Sequence, residues 1–360
     1  MSRENDRLLT RLTLPVGTLE EVYSLLSKID AVKQSWSITG NLQPQVIERL
    51  TQSVIITSTG ASNRIEGNQL TDDEVEKLYR KLHIQKLRTR DEQEVGGYLE
   101  SMEFVFSNFT DMPISESMIL HLHNQMLRHS SKDERHRGLY KFGSNRVQAT
   151  DQSGNVLGII FDPTPPHLVE KEMRELIEWY QWAKEEGKKH PLILVANFIF
   201  EYLAIHPFQD GNGRTSRLLT NLMLLQQGYQ FTSVVSHEKL VEERKADYYL
   251  ALNKTQKTWK SGQEDVSEWL LFFLNVVNKQ AGLALDILRR DDRESLLSQN
   301  QQSILDWIRS REESVFTRGD LIGAFDLPAR TIEASVKRLL EHKFIERIGA
   351  GRATRYRYLR

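Results

Sequence analysis

The chain has 360 residues, 48 Lys and Arg against 49 Asp and Glu for a formal charge of −1, 39% hydrophobic residues and no Cys. At ~150 residues per domain this suffices for two or three domains with sizeable cores. The lack of Cys excludes disulfides, thiolate zinc sites and a Cys nucleophile, and it fits a reducing cytosol.

In chain order, residues 1–14 scatter Arg3, Arg7 and Arg11 among apolar side chains without an uninterrupted apolar run, a poor secretory signal, so a cytoplasmic protein is expected. Over 18–33 and 44–59 apolar residues recur every three or four positions, predicting amphipathic helices in an N-terminal helical region, 1–110. In the run 62–68, SNRIEGN, Ser62 and Glu66 stand four apart on one helical face, with Gly67 where a helix would end. Residues 143–161 join β-branched residues to Asp-Gln-Ser-Gly-Asn turn chemistry, which predicts a β-hairpin, and Asp-Pro-Thr-Pro-Pro at 162–166 stops it. Helical patterning resumes over 167–184. The most apolar stretch, 192–205, is broken by Asn197 and Glu201. It falls short of the ~20 residues a span needs, so it predicts a buried helix and no membrane.

These segments place a helical core at 111–286 and a charged linker helix at 287–302, leaving 303–360 as a further domain. There, helical segments at 303–309, 317–325 and 330–342 precede two strands around Gly349-Ala350-Gly351. Three helices closed by a glycine-tipped hairpin resemble a winged helix-turn-helix domain.

Chemistry concentrates at 206–217, HPFQDGNGRTSR, between the helix 192–205 and another apolar helix at 218–226. Pro207, Gly211 and Gly213 suit a loop that neither helix could continue. Glycines before a helix let backbone N–H groups converge on an anion, and the helix dipole adds to the attraction. Arg214 and Arg217, three apart, project from one helical face toward the same loop. Asp210 is a hard oxygen ligand suited to Mg²⁺, and His206, with a reference pKa of ~6.5, is the natural general base. Phe208 anchors the loop or lines a pocket.

This segment resembles the signature of the Fic family, H-x-F-x-[D/E]-G-N-G-R-x-x-R, at His206, Phe208, Asp210, Gly211, Asn212, Gly213, Arg214 and Arg217. The resemblance implies a mostly α fold, a Fic-type helical core with a β-hairpin flap, and transfer of AMP from ATP to a protein hydroxyl with release of pyrophosphate. It implies that His206 deprotonates the target and that Asp210 holds Mg²⁺, with Mn²⁺ as an alternative ion. Gly211, Asn212 and Gly213 would bind the α-phosphate with their backbone and the Asn212 side chain, and Arg214 and Arg217 the outer phosphates. The flap, 143–161, would hold an extended segment of the target protein by strand addition.

The run Ser62 to Gly67 resembles the family's inhibitory motif [S/T]-x-x-x-E-[G/N]. Glu66 would then pair with Arg217 in place of the γ-phosphate and silence the enzyme, or serve as the base that removes AMP from a modified target, or both. In the tail, Arg347, Arg352, Arg355, Arg357 and Arg360 face only Glu346 over 344–360 (5 − 1 = +4). With Lys337 and Arg338 they fit nucleic-acid phosphates, whereas Glu333 and Glu341 weaken the field. Winged helices also serve protein docking or homodimerisation. The function expected is thus a self-inhibited protein adenylyltransferase, with a deAMPylating hydrolase and a DNA-binding regulator with a nucleotide-sensing core as alternatives.

Overall fold

The computed structural model describes residues 6–39, 44–81, 87–145, 147–150, 156–295, 297–311, 314–349, 351 and 354–359, with backbone alone for 37–39, 147–150, 156–160 and 290–295. The chain divides into two compact units, Met1–Leu285 and Asp286–Arg360.

The first unit contains α1 (Arg7–Thr10), α2 (Val16–Thr39), α3 (Pro44–Ile65), α4 (Asp72–Lys81), α5 (Arg90–Asn108) and α6 (Glu116–Met126). The two-stranded antiparallel hairpin β1 (Val147–Thr150) and β2 (Val156–Phe161) follows. Then come α7 (Pro166–Glu186), α8 (Pro191–Ile205), α9 (Asn212–Gln226), α10 (His237–Glu243), α11 (Lys245–Gln256) and α12 (Ser267–Ser295), which runs past the unit boundary. The predicted hairpin is present, its register shifting on either side of Gln148 and Ala149. Its Asp-Gln-Ser-Gly-Asn turn, 151–155, lies outside the described residues.

The core forms around α8, where every residue from Leu192 through Ile205 is buried. Its two polar residues lie within the core. Asn197 Oδ1 accepts from Arg11 Nε at 2.7 Å, and Glu201 pairs with Arg11 at 2.5 Å and Arg7 at 2.6 Å. Glu264 joins both arginines. Burial alone would neutralise Glu201; Arg11 and Arg7 outweigh it and hold the carboxyl down at about 2. Arg7 and Arg11, two of the arginines that spoil a signal sequence, are therefore structural partners of the central helix. The stretch Ser267–Arg289 of α12 is long and apolar enough to cross a membrane and is half buried within the protein. Trp269, for instance, donates its indole N–H to Ala196 O at 2.8 Å.

The second unit has α13 (Gln299–Arg309), β3 (Val315–Phe316), α14 (Arg318–Ala324), α15 (Ala329–Glu341), β4 (Ile345–Ile348) and β5 (Arg355–Tyr358), with an antiparallel sheet ordered β3-β5-β4. Ile332, Val336 and Leu339 occupy one stripe of α15 and meet Ile304, Ile308 and Phe316 in its core. The stretch 287–302, expected to be one solvated helix, instead holds the end of α12 and the start of α13. Leu297, between them, is buried in the second core. Strand β3 was also missed, because two residues carry no legible alternation.

Candidate active site

Helix α8 stops at His206, whose φ of 52° takes the chain into the left-handed region. Pro207 then forbids a further helical turn. His206 keeps its N–H on Tyr202 O at 2.9 Å. Its ring Nδ1 lies 3.3 Å from Leu203 O. A carbonyl can only accept, so Nδ1 carries the proton and Nε2 is left with the lone pair of a base. Burial pushes His206 down to about 4, against the Leu203 carbonyl; Lys141 adds to the fall, and Glu66 and Asp210 oppose it. The imidazole is thus neutral at physiological pH.

Phe208 is fully buried, an anchor rather than a pocket wall. Its ring stacks on His123, centroids 3.6 Å apart and planes 2° apart. Nothing in the sequence singled out His123. Its Nδ1 accepts from Gly138 N–H at 2.8 Å and its Nε2 donates to Asp210 O at 3.0 Å, tying α6 to the loop. Burial holds this ring, too, down at about 4. The signal that could have found it is a His on the apolar stripe of α6 with Ile119, Leu122 and Met126.

The Asn212 amide also braces its own loop. Its Oδ1 accepts from Phe208 N–H at 2.9 Å and its Nδ2 donates to Phe208 O at 2.7 Å. The buried side chain thus closes the loop through one of its two amide hydrogens. What the loop offers an anion is the first turn of α9, whose leading N–H groups have no intrahelical partner. Gly211, at φ 81°, caps that helix. A Cβ there would come within 2.7 Å of Met126 Cε.

Asp210 is 35% exposed and 3.3 Å from Arg214 Nη2. Burial opposes its charge, yet Arg214 and the Gly211 N–H hold it below the usual aspartate value. Arg214 also faces Glu94 at 3.4 Å. Arg217 donates from Nε to Ser62 Oγ at 2.8 Å and from Nη2 to Ser62 O at 3.0 Å and Glu66 Oε1 at 2.7 Å. Glu66 stands just past α3, and Gly67 turns the chain away at φ 99°. Burial opposes ionisation of Glu66, but Arg217 and then Arg214 hold it below the ordinary glutamate value. A Cβ at Gly213 would collide with Glu66 Oε1, so a side chain there would displace the Glu66 carboxylate. The structure thus brings Ser62, Glu66 and Gly67 to the predicted loop, although Glu66 and Arg217 stand 151 positions apart.

Two features bear on the groups such a loop would hold. Arg214 Nε and Arg217 Nη1 are buried without a hydrogen-bond acceptor among the described residues, and Arg214 Nη1 has the Glu94 carboxylate at 3.4 Å without a hydrogen bond, which suits an incoming anion. No cluster of three or more His, Asp or Glu side chains forms a ready metal cage among those residues. One partly exposed carboxylate still fits Mg²⁺, which fills its shell with phosphate and water.

The sequence profile of the Fic/DOC family matches residues 113–224. The protein adenylyltransferase Fic of Nematostella vectensis is 28% identical over 238 residues, 64% of this chain and 50% of its own length. This chain therefore spans half of that relative. A Fido domain-containing protein of Dictyostelium discoideum is 32% identical over 110 residues, 31% of this chain and 72% of its own. A solved Fic family protein from Desulfovibrio desulfuricans superposes with a TM-score of 0.60 at 23% identity, covering 94% of this chain and 96% of that one, a likeness of fold. With the 206–217 loop intact inside the matched profile and the Dictyostelium relative 32% identical, the chain belongs to the Fic/DOC family.

Proposed function

We propose that the protein is an adenylyltransferase that transfers AMP from ATP to a hydroxyl of a target protein and is held inactive by its own α3. His206 Nε2 accepts the hydroxyl proton while the freed oxygen attacks the α-phosphorus; the bond to the bridging oxygen breaks and pyrophosphate leaves. The first turn of α9 receives the phosphates, with Arg214 and Arg217 on their outer oxygens. Mg²⁺ held by Asp210 would neutralise phosphate charge, and Mn²⁺ would serve similarly. The target would lie along the flap 143–161 as an added strand, in the cytoplasm.

The observation that carries the inhibited state is the 2.7 Å contact of Glu66 with Arg217. A charge-assisted pair of this kind is worth ~1.5–3 kcal/mol. Incubation of Glu66→Gly with α-labelled ATP, Mg²⁺ and a cell lysate should raise protein labelling about ten- to a hundredfold over the parent. Arg217→Ala should not, because it removes a phosphate ligand together with the brake's partner. Equal labelling of parent and Glu66→Gly across Mg²⁺ and Mn²⁺ would discard self-inhibition. Glu66 is ionised and so also competent to activate water; release of AMP from a labelled target by the parent but not by Glu66→Gln would mark the hydrolase reading.

For the second unit we infer a winged helix, with α15 as the third helix and β4–β5 as the wing. Arg357 spends its charge on Glu346 at 3.1 Å, and Arg318 pairs with Glu333, while Arg352 and Arg360 lie outside the described residues. If the wing meets DNA, affinity should fall steeply with salt and Arg355→Ala should flatten the slope. No binding to duplex at low salt would leave protein docking or dimerisation.

A further inference from the structure

His206 occupies a backbone region that β-carbon sterics disfavour, at φ 52°. Such a conformation persists only where its surroundings over-determine it. The cause lies in a segment that neither the Fic signature nor the inhibitory motif includes. Lys141 Nζ donates to Ile205 O at 3.2 Å, and Lys141 N–H donates to Pro207 O at 2.9 Å. Asn145 Nδ2 donates to His206 O at 3.1 Å and to Phe208 O at 2.7 Å. Lys141 Nζ also donates to Asn145 Oδ1 at 2.7 Å, fixing which way the amide faces. The carbonyls of 205, 206, 207 and 208 are thus held in succession by two residues four positions apart.

The charge on Lys141 suits this place. It stands at the C-terminal end of α8, where unpaired carbonyls and the helix dipole favour a cation. The side chain is buried. Burial pushes the ammonium down to about 8, against Asp162 and Glu172 and with Lys260. At neutral pH it remains mostly protonated and keeps its donors.

We propose that Lys141 and Asn145 are positioning residues for the base, holding the carbonyls of 205–208 so that His206 keeps its left-handed backbone and its Nδ1–H on Leu203 O, with Nε2 free toward the substrate. This rests on the adenylyltransferase reading only for its effect on rate; the geometry stands without it. The consequence for catalysis is a turnover effect. Both residues act on the base through its backbone and touch none of the phosphate-facing groups.

Two variants test it in a Glu66→Gly background. Asn145→Asp keeps shape and the acceptor for Lys141 but cannot donate to His206 O or Phe208 O. Lys141→Met keeps length and the backbone N–H but loses the ammonium. The nitrogen chemical shifts of the His206 imidazole report its tautomer whether or not the protein turns over. In the parent they should show one tautomer, protonated at Nδ1, and in both variants a mixture. The kcat for AMP transfer should fall about ten- to a hundredfold with ATP affinity unchanged, the scale expected when a reacting group is misplaced by about 1 Å. Imidazole shifts identical to the parent in both variants overturn the proposal, whatever the turnover. A parent with a single Nδ1–H tautomer that transfers no AMP overturns the adenylyltransferase reading and leaves the positioning of His206 standing.

Discussion

His206 illustrates how far an environment can move a residue's chemistry. Its residue type suggests a base that switches near its reference value of ~6.5, whereas burial at the end of α8 brings it to about 4. A base acts when neutral, so transfer should be present above this pKa and disappear as pH falls through it. The acid limb of kcat for Glu66→Gly should therefore lie below about pH 5. A limb centred near 6.5 would mean that His206 is more exposed than the structure shows. His206→Ala should remove transfer while sparing ATP binding, because the phosphate-facing groups remain.

At the scale of elements, the inhibition we propose depends on how α3 is seated. Arg64 donates from Nε and Nη2 to Glu242 of α10 at 2.6 and 3.1 Å, and from Nη1 to Leu70 O at 2.9 Å. It also pairs with Asp72 of α4 at 2.8 Å. Ser58 of α3 donates to Ser236 at 2.8 Å. Behind α3, the fully buried Glu238 accepts from Tyr98 of α5 at 3.1 Å and Asn221 of α9 at 2.5 Å, and burial raises its pKa. The Arg64–Glu242 pair is partly exposed, so its worth is about 1 kcal/mol. Glu242→Gln should accordingly release transfer by roughly fivefold, well short of Glu66→Gly. Labelling unchanged from the parent would show that α3 is seated by its apolar face alone.

For the whole first unit, the ion network around Glu201 joins segments some 190 residues apart in sequence. Arg11→Ala would leave a buried carboxylate short of its partner, at a cost of about 3–5 kcal/mol. Because the folded pKa of Glu201 is depressed to about 2 from an unfolded value of ~4.3, its ionised form contributes stability above pH ~4.3. That contribution, about 3 kcal/mol, fades as pH falls toward 2. Denaturant unfolding of the first unit at pH 7 and pH 3 should show parent and variant converging in acid. A difference at pH 7 below about 1 kcal/mol would demote the network to incidental surface chemistry.

The 206–217 loop was legible in the sequence because its parts are local: His206, Asp210, the glycines and both arginines fall within twelve residues, and a loop between two apolar helices leaves them little freedom of placement. Periodicity likewise revealed the buried α8, the hairpin and the helices of the second unit, since each element must hide one face. What the chain order could not reveal are contacts closed by folding. Glu66 meets Arg217, His123 stacks on Phe208, and Lys141 with Asn145 grips 205–208. Tertiary structure also decided that the Asn212 side chain serves its own loop and that Leu297 is buried in the second core. Local spacing sets which groups are available, whereas the partner each buried polar or apolar group takes depends on which distant segment folding brings to it.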